Sequence, residues 1–460
     1  MNRAFIGKVL LVVGLSFSIL IPLEMIRGVI NERVQRRQEA ISSIAASSAG
    51  EQILAGPVLI APYVDVENIT DTDAQGKQTT RTNRTEGVTY LFPKELQMDG
   101  KLEPQTRYRG LHRVRVYEWQ GKLNATFSDI LPQAAGRTYG AAMLSVQIKD
   151  VRGIVGSPRL TLNQQVLDVK NGSAYAALGG IHARVPALVA GERFSGQVSL
   201  QLNLSGTESL SLVPLGDSNK FTMSSSWKHP QFAGDFLPRT RTVNDQGFQA
   251  SWEISALAAN TQRQFLRASV ISKPGVADGS NAQLMMDALS VNLVEPVNVY
   301  TQTDRASKYG LLFVLLTFVG FFMFELIKQL AIHPIQYLLV GLSLTIFFLL
   351  LLSLSEHIPF VYAYLIASVA CIGLLVFYLS HVLQSKARGF GFGAMLTALY
   401  GALYGLLASE DNSLAMGSLL LFAILAVIMV VTRKIDWYQI TSGNSNTSAK
   451  TRPDLSELKA

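Results

Sequence analysis

The stretch Ile335–Leu354 reads IQYLLVGLSLTIFFLLLLSL, 20 residues without a charged side chain. A helix of about 20 apolar residues crosses a hydrocarbon core of about 30 Å. The apolar runs of this kind are Ala4–Leu23, Tyr309–Phe324, Ile335–Leu354, Phe360–Val382, Phe392–Ala408 and Leu414–Val431. The sequence therefore predicts an integral membrane protein with six transmembrane α-helices, one N-terminal and five C-terminal.

Composition agrees with contact with lipid. Hydrophobic residues make up 48% of the chain and charged residues only 16%, whereas charged residues usually make up about 25%. The single cysteine, Cys371, lies inside an apolar run, so we expect neither disulfides nor a cysteine metal site in the long polar middle region. The formal net charge of +7 is modest, and nucleic acid is not an expected partner.

Basic residues in the short connections predict the orientation of the spans. They lie in alternate connections, at Lys328, Lys386, Arg388, Arg433 and Lys434. The intervening connections, 355–357 and 409–412, contain no lysine or arginine. We therefore expect a multi-pass protein of a bacterial inner membrane, with both termini cytoplasmic and residues about 24–308 periplasmic. Four arginines just after the first run oppose this orientation, but the charge rule is weak beside a long translocated domain.

The changes in composition divide the chain into five parts. The first run ends in Pro22 and Leu23 and is followed by Glu24 instead of a small-residue cleavage site, which favours an uncleaved signal anchor. The expected parts are an anchor at 1–23, a helical stalk at 24–52, a periplasmic β-rich domain at 53–304, a five-helix transmembrane domain at 305–432 and a largely disordered cytoplasmic tail at 433–460.

The inserted middle region has the pattern of β-strands. Apolar and polar residues alternate over Phe194–Leu204 and Phe248–Ile254, which is typical of strands with one buried face. Many short strands with glycine and proline turns predict a large, mainly antiparallel, sandwich-like extracytoplasmic domain. The polar stretch Asn68–Gly87 is interpreted as a long exposed loop.

Two short segments of this domain form a candidate periplasmic contact surface. If Tyr108–Trp119 is one continuous strand, the arginines at odd positions share a face that meets anionic lipid or polysaccharide; they are Arg107, Arg109, Arg113 and Arg115. The other interpretation is an ordinary solvated sheet face. The loop-like segment WKHPQF adds Trp227, His229 and Phe232 to the surface.

Ionisable residues beside the apolar runs form a second candidate site, because charge near hydrocarbon is costly. The membrane-edge cluster comprises Glu356, His357, Glu410 and Asp411. If its two loops meet, the cluster would bind a cation, move a proton or dock the arginines of the domain. The alternative is ordinary loop polarity at a membrane interface. Glu325 and His333 border the opposite ends of the runs.

Signatures of catalysis are missing from the sequence. It contains no GxSxG, HExxH, GxxxxGK[ST] or CxxC motif, and each of these carries a specific nucleophilic, metal-binding or phosphate-binding role. We therefore predict no catalytic residue, no metal site and no cofactor, and expect the protein not to be an enzyme.

A set of short motifs resembles one family. In the middle region they are LAGPVLIAPY at 54–63, RYRGLHRVRVY at 107–117, WKHPQFAGDFLP at 227–238 and GFQASW at 247–252. In the membrane region they are RASKY at 305–309, HPIQY at 333–337, SLSEH at 353–357, YGALY at 400–404 and TRKIDW at 432–437. In this order the motifs are similar to those of CreD, an inner-membrane family linked to colicin E2 tolerance.

The resemblance implies a role in cell-envelope integrity and in the response to envelope stress and β-lactams. It implies no reaction, ligand or catalytic residue. We expect a non-enzymatic protein that acts through its periplasmic domain, with the lipid bilayer and a periplasmic or membrane protein as partners. The alternative is an ion-gradient-driven transporter or export accessory subunit. The oligomeric state does not follow from the sequence.

Overall fold

A computed structural model describes residues 3–72, 78–173, 179–186, 188–271, 286–293, 299–328, 332–383, 385–408 and 413–433. The chain divides into two compact units. The first joins Met1–Arg36 to Val297–Ala460 and holds the membrane helices, and the second is Arg37–Pro296 and holds the sheets.

The apolar runs predicted from the sequence lie on helices of the first unit. The helices of the described chain are α1 (Arg3–Ser18), α2 (Leu20–Ser47), α3 (Thr261–Ile271), α4 (Val299–Lys308), α5 (Gly310–Lys328), α6 (Pro334–Ser355), α7 (Phe360–Val382), α8 (Lys386–Ala408) and α9 (Ser413–Thr432). The predicted run 360–382 coincides with α7, the run 4–23 crosses from α1 into α2, and the others differ from their helices mainly at the ends. The helical nature of the six runs is confirmed.

The described residues do not by themselves establish the predicted count of six membrane-crossing helices. Among the described residues, four helical segments are long and apolar enough to cross a membrane: Leu10–Ser47, which joins the end of α1 to α2, Pro334–Ser355, Phe360–Val382 and Lys386–Leu407. A fifth span results if α4 and α5, which are bent by 43°, act as one. The described apolar part of α9, Ala415–Ala426, is shorter. Six spans are therefore not established.

Local chemistry fixes where α6 begins. His333 accepts from the Ile335 N–H at Nδ1, 3.3 Å away, and Gln336 Oε1 accepts from the His333 N–H at 3.1 Å. This reciprocal pair is a capping box, which satisfies donors that the first helical turn leaves unbonded. Pro334 fits the first position because its missing N–H is not needed there. The HPIQ sequence is thus a helix start.

The strands of the second unit form two sheets. They are β1 (Gln52–Thr72), β2 (Gln78–Leu91), β3 (Glu95–Arg109), β4 (His112–Ile130), β5 (Arg137–Tyr139), β6 (Met143–Ile148), β7 (Ile154–Leu162), β8 (Gln165–Val166), β9 (Val169–Asn171), β10 (Gly180–Arg184), β11 (Arg193–Thr207), β12 (Ser209–Val213), β13 (Ser218–Ser225), β14 (Pro230–Gly234), β15 (Thr240–Asn244), β16 (Gly247–Ser255) and β17 (Leu289–Leu293). One sheet has the order β14-β17-β12-β1-β6-β10-β9, with β2 and β5 also on β1. The other has the order β15-β16-β13-β3-β4-β11-β7-β8.

Both sheets are mixed, with one parallel pairing in each among pairings that are otherwise antiparallel, as the predicted mainly antiparallel arrangement allows. β1 pairs with β12 in parallel, and β3 pairs with β13 in parallel, whereas their other pairings are antiparallel. Side chains from both sheets share one buried core, for example Leu59 and Leu144 from the first and Leu123 and Leu200 from the second. The alternation predicted over 194–204 is confirmed, because the even-numbered positions from 196 to 204 on β11 are buried.

The described parts of the polar stretch 68–87, residues 68–72 and 78–87, are strands and not a loop. β1 continues to Thr72 and pairs in register with β2 from Gln78 onward, for example Ile69 with Arg81. The loop interpretation is wrong because backbone pairing between two strands satisfies polar groups whatever the side chains are. The result is a ribbon whose side chains are mostly exposed.

Two glycines make room for a buried tryptophan. Gly100 of β3 and Gly121 of β4 are directly paired, and a Cβ added at either would overlap the ring of Trp119. Trp119 is only 1% exposed, so the ring has nowhere to move. The sheet can hold this side chain at that place only while both positions lack a side chain.

We expect Gly121→Ala to destabilise the sheet unit by about 1–3 kcal/mol, the usual cost of overpacking a core. The readout is the midpoint of thermal unfolding of the full-length protein in detergent, followed by tryptophan fluorescence. Gly140→Ala is the matched control, because its Cβ would lie 3.5 Å from Pro62, an ordinary contact. Equal midpoints for the two variants would refute the packing account.

Polar contacts hold the C-terminal end of α2 to the sheets. Asp150 accepts from the Gly50 N–H at 3.1 Å and from Nε of Arg152 at 2.9 Å. Arg152 also donates to the carbonyl of Ala46, in the last turn of α2, at 2.6 Å. The buried Gln52 amide donates to the Asp150 carbonyl at 2.9 Å. The hydrogen bond from the Arg152 guanidinium holds the pKa of the Asp150 carboxyl below its ordinary value.

This shift predicts the pH dependence of Asp150→Asn. Because the folded state lowers the pKa, the stabilisation is complete above the ordinary value of 3.8 and is lost as the pH falls through the folded-state value. The wild-type protein should therefore unfold at a higher temperature than Asp150→Asn at neutral pH, and the difference should shrink in acid. Thermal midpoints over a pH series measure it. The control is Asp168→Asn, whose side chain is 86% exposed; a gap that widens in acid would contradict the assignment.

Candidate functional site

Glu356 of the membrane-edge cluster lies at the C-terminal end of α6, where side chains from two other helices reach it. Its side chain is 8% exposed, and Nε of Arg33 on α2 lies 3.5 Å from its Oε1. The hydroxyl of Tyr300 on α4 donates to the same oxygen at 3.3 Å. The carboxylate is therefore compensated by one cation and one hydroxyl within the first unit.

A second contact ties α2 to α4 nearby. Arg27 donates from Nη2 to the carbonyl of Ser307 at 3.4 Å and forms an ion pair with Glu24 one turn earlier. With the Arg33–Glu356 contact, this gives α2 two attachments to the helices that follow the sheet unit. The arrangement favours a fixed contact between helices over an open cation site, because a carboxylate already paired to a guanidinium has lost most of its attraction for a second cation.

The other members of the cluster differ. His357 is exposed, and its Nδ1 lies 3.1 Å from the carbonyl of Ser353. Glu410 and Asp411 lie outside the described residues. The predicted contact between the loop of Glu356 and His357 and the loop of Glu410 and Asp411 therefore stays a prediction.

Glu325, near the C-terminal end of α5, is a second buried carboxylate, with a side chain that is 3% exposed. The sequence marks this residue as lying beside an apolar run but does not identify its partners. Glu325 accepts from the Tyr337 hydroxyl at 2.7 Å and from the Ile332 N–H at 3.1 Å. These bonds join α5 to the start of α6. The signal in the sequence was the position of Tyr337, one turn into the helix that the HPIQ cap begins.

We expect Glu356→Ala to destabilise the membrane unit by about 1.5–3 kcal/mol, the usual range for hydrogen bonds to a charged group. Cys371 is buried in this unit, so a thiol-reactive dye reports the temperature at which the helices open. Glu24→Ala is the control, because the Glu24 side chain is 60% exposed and surface pairs contribute about 0–1 kcal/mol. A midpoint for Glu356→Ala no lower than that of the control would show that the contact is not stabilising.

The arginines of the candidate contact surface lie on a hairpin and not on one strand. β3 ends at Arg109, β4 begins at His112, and Gly110 and Leu111 form the turn between them. Gly110 has φ of +59°, as a type II′ turn requires at its first central position. The prediction of a continuous strand over Tyr108–Trp119 is wrong because this turn reverses the chain.

The reversal separates the arginines into two pairs. Arg107 is paired with Val114, and residues paired across antiparallel strands lie on the same face. Arg107 and Arg109 therefore share the face of Val114, whereas Arg113 and Arg115 lie on the other face. The expectation of a single arginine face is wrong for the same reason.

Arg115 and Trp227 do come together. The Arg115 guanidinium lies 4.6 Å from the centre of the Trp227 ring, a cation–π contact. The Trp227 indole N–H donates to the carbonyl of His229 at 2.9 Å, and His229 itself is exposed. Phe232 instead packs edge-on against Phe248 in the sheet core, with centroids 5.6 Å apart. The predicted surface thus includes side chains that serve packing.

The remaining arginines lie at an exposed end. Arg107, Arg109 and Arg113 are exposed, and so are Tyr108 at 66% and Leu111 at 57%. We call residues 107–113 the hairpin tip. It combines cations with a large aromatic and a large aliphatic side chain, which suits binding to an anionic, partly apolar surface.

Comparison with known proteins identifies the family. A family model described as "Inner membrane protein CreD" matches residues 4–438. The chain belongs to the CreD family. It is therefore an inner membrane protein, in agreement with the helices of the first unit that are long and apolar enough to cross a membrane, and the resemblance carried by the short motifs is confirmed.

A curated relative matches over nearly the same length. The chain is 34% identical over 450 residues to "Inner membrane protein CreD" of Escherichia coli strain K12, covering 96% of this chain and 95% of that protein. The family description names a membrane protein and no enzyme activity.

Solved structures offer only distant likeness. A crystal structure of an M1 zinc metallopeptidase from Deinococcus radiodurans matches 35% of this chain and 38% of that one, with 9% identity and a TM-score of 0.18. A mutant of that enzyme bound to a Tyr-Ser-Ala substrate matches 48% and 53%, with 7% identity and a TM-score of 0.20. Such scores carry no argument about activity. Within the described residues, no three His, Cys, Asp or Glu side chains are grouped to hold a metal ion.

Proposed function

We propose that this CreD family member supports cell-envelope integrity and the response to envelope stress, including colicin E2 tolerance and the response to β-lactams. It acts non-enzymatically, through the sheet unit. The carrying observation is the exposed hairpin tip, with three arginines beside Tyr108 and Leu111. Charged and aromatic side chains on a protruding turn are suited to binding, whereas catalysis needs groups converging on a reacting atom.

The proposal includes a topology. Six spans, both termini cytoplasmic and residues about 24–308 in the periplasm follow from the basic connections and the apolar runs. α5 and α9 supply the last two spans. In this arrangement the sheet unit, which we take to form a sandwich-like domain, faces the periplasm and meets its partner there.

Transport is the second candidate, and the positions of the carboxylates disfavour it. Coupling sites of transporters tend to lie near the bilayer midplane, whereas Glu325 and Glu356 lie near the ends of α5 and α6 and are both hydrogen bonded. Ion-driven uptake by liposomes carrying the protein, abolished by Glu356→Gln, would favour transport over envelope support.

The envelope role predicts the behaviour of a double variant, Arg109→Ala with Arg113→Ala. In a strain lacking the native protein, it should lose most of the restored tolerance to colicin E2 and to a β-lactam, because the tip loses charge on both faces of the hairpin. Its abundance in the membrane should equal that of the wild type, since both side chains are exposed. The readouts are survival curves and immunoblots of the membrane fraction.

Arg81→Ala with Arg241→Ala is the matched control, because it removes two exposed arginines from other strands. This control should keep wild-type tolerance. Unchanged survival of the Arg109/Arg113 variant, or an equal loss in the control, would refute a specific role for the hairpin tip.

A further inference from the structure

The hairpin that carries the tip extends beyond its sheet. β3 pairs with β13 only over Glu95–Leu102, and β4 pairs with β11 only from Val116 onward. Among the described residues, β3 and β4 therefore pair only with each other between 103 and 114. One face of this segment is covered, since Val114 packs against Ala40, Ile41 and Ile44 of α2. The covered face holds the hairpin in place and leaves its end exposed.

The hairpin tip concentrates one sign of charge. Residues 104–117 contain four arginines and no aspartate or glutamate. Because the turn places Arg107 and Arg109 on one face and Arg113 on the other, cationic groups flank the tip on both sides. Both faces of the hairpin end are therefore positively charged.

Apolar side chains occupy the end itself. Leu111 is in the turn, 57% exposed, and Tyr108 is 66% exposed three residues away. A turn position is usually taken by a small or polar residue, and this leucine makes no contribution to the core at that exposure. An apolar end flanked by arginines is the pattern of elements that enter the headgroup region of a membrane, with tyrosine at the interface and arginines on the phosphates.

A polyanionic chain fits this shape less well. Polymers are usually held along a groove or an extended positive face, and the turn has divided the arginines between two faces. A protruding end with Leu111 at its apex offers a sugar no enclosing surface, whereas it can dip into a bilayer. The other long ribbon, β1–β2, has exposed residues of both signs, including Glu67, Arg81 and Arg84, and lacks this charge bias.

We propose that the hairpin tip docks on a bilayer surface that contains anionic phospholipids. Arg107, Arg109 and Arg113 bind the lipid phosphates, and Tyr108 and Leu111 insert among the headgroups. This inference names the partner of the surface on which the proposed envelope function rests. In this proposal the hairpin tip binds lipid, whereas the contact between Arg115 and Trp227 holds β4 to the segment that contains Trp227.

A fluorescent label at the apex tests the docking. Cys371 is the only cysteine and is buried, so Leu111→Cys in a Cys371→Ala background accepts one environment-sensitive dye. The full-length protein is placed in nanodiscs of phosphatidylcholine. Vesicles of phosphatidylcholine, with or without phosphatidylglycerol, are then added, and a second set of nanodiscs contains phosphatidylglycerol itself. We expect a blue shift with phosphatidylglycerol, in the added vesicles or in the disc, and none with phosphatidylcholine alone.

Charge removal gives the expected magnitude. Each basic residue near an anionic membrane contributes about fivefold to binding, so Arg107→Gln, Arg109→Gln and Arg113→Gln together should weaken the response to vesicles about a hundredfold. Arg81→Gln, Arg84→Gln and Arg241→Gln remove the same formal charge elsewhere and should leave it unchanged. A dye on Gln246→Cys, in the exposed turn between β15 and β16, should not shift.

Four outcomes would overturn the inference. They are no shift in either phosphatidylglycerol arm, a shift that survives the loss of the three tip arginines, an equal shift at position 246, and a shift with soluble dextran sulfate but not with phosphatidylglycerol. The last would assign the tip to a polysaccharide. Failure of the proposed function is separate: a lipid response that depends on the tip, with wild-type colicin tolerance in the Arg109/Arg113 variant, would support docking and refute the envelope role.

Discussion

Hydrocarbon offers no hydrogen-bond partner, and this constraint organises the first unit. Every backbone group within a span must be bonded internally, so the apolar runs are helices. Several polar side chains of these helices are also bonded internally. Thr317 and Thr345 donate to carbonyls one turn earlier in their own helices, at 2.8 and 2.9 Å, and the Tyr364 hydroxyl donates to the carbonyl of Tyr400 on the next helix at 2.7 Å. The carboxylates of Glu325 and Glu356, at the helix ends, have bonded partners as well.

This constraint is local in sequence, which explains why the helices were predictable and the hairpin was not. A run of 20 apolar residues identifies a helix from its own composition. By contrast, the arginines of RYRGLHRVRVY lie at odd-numbered positions both before and after the turn, as they would on one continuous strand. Gly110 was the only cue in this segment that the chain reverses there. A two-residue turn moves every later side chain to the opposite face. Predicting the arginines' faces therefore required the register, which the pattern alone does not contain.

The site shows the same division between local and distant information. Glu356 was singled out because a charge beside hydrocarbon is costly. Its partners are distant in sequence, since Arg33 precedes the sheet unit and Tyr300 follows it. The residues that flank them in the sequence do not identify either one as a partner of Glu356. The start of α6 is easier to recognise from the sequence, because its capping residues His333, Pro334 and Gln336 lie within four consecutive positions.

The structure also separates the roles within the family motif RYRGLHRVRVY. Val114 packs on α2, Gly110 makes the turn, Arg115 stacks on Trp227, and the Tyr117 hydroxyl donates to the carbonyl of Ser209 at 2.7 Å. Folding accounts for these residues. It does not account for a tyrosine, a leucine and three arginines held at the exposed end of the same hairpin, where polar residues of any kind would satisfy the turn. Apolar side chains that are held exposed and contribute nothing to the core, with arginines on both sides of them, favour a binding role for the hairpin tip over one for the paired carboxylate at the membrane edge.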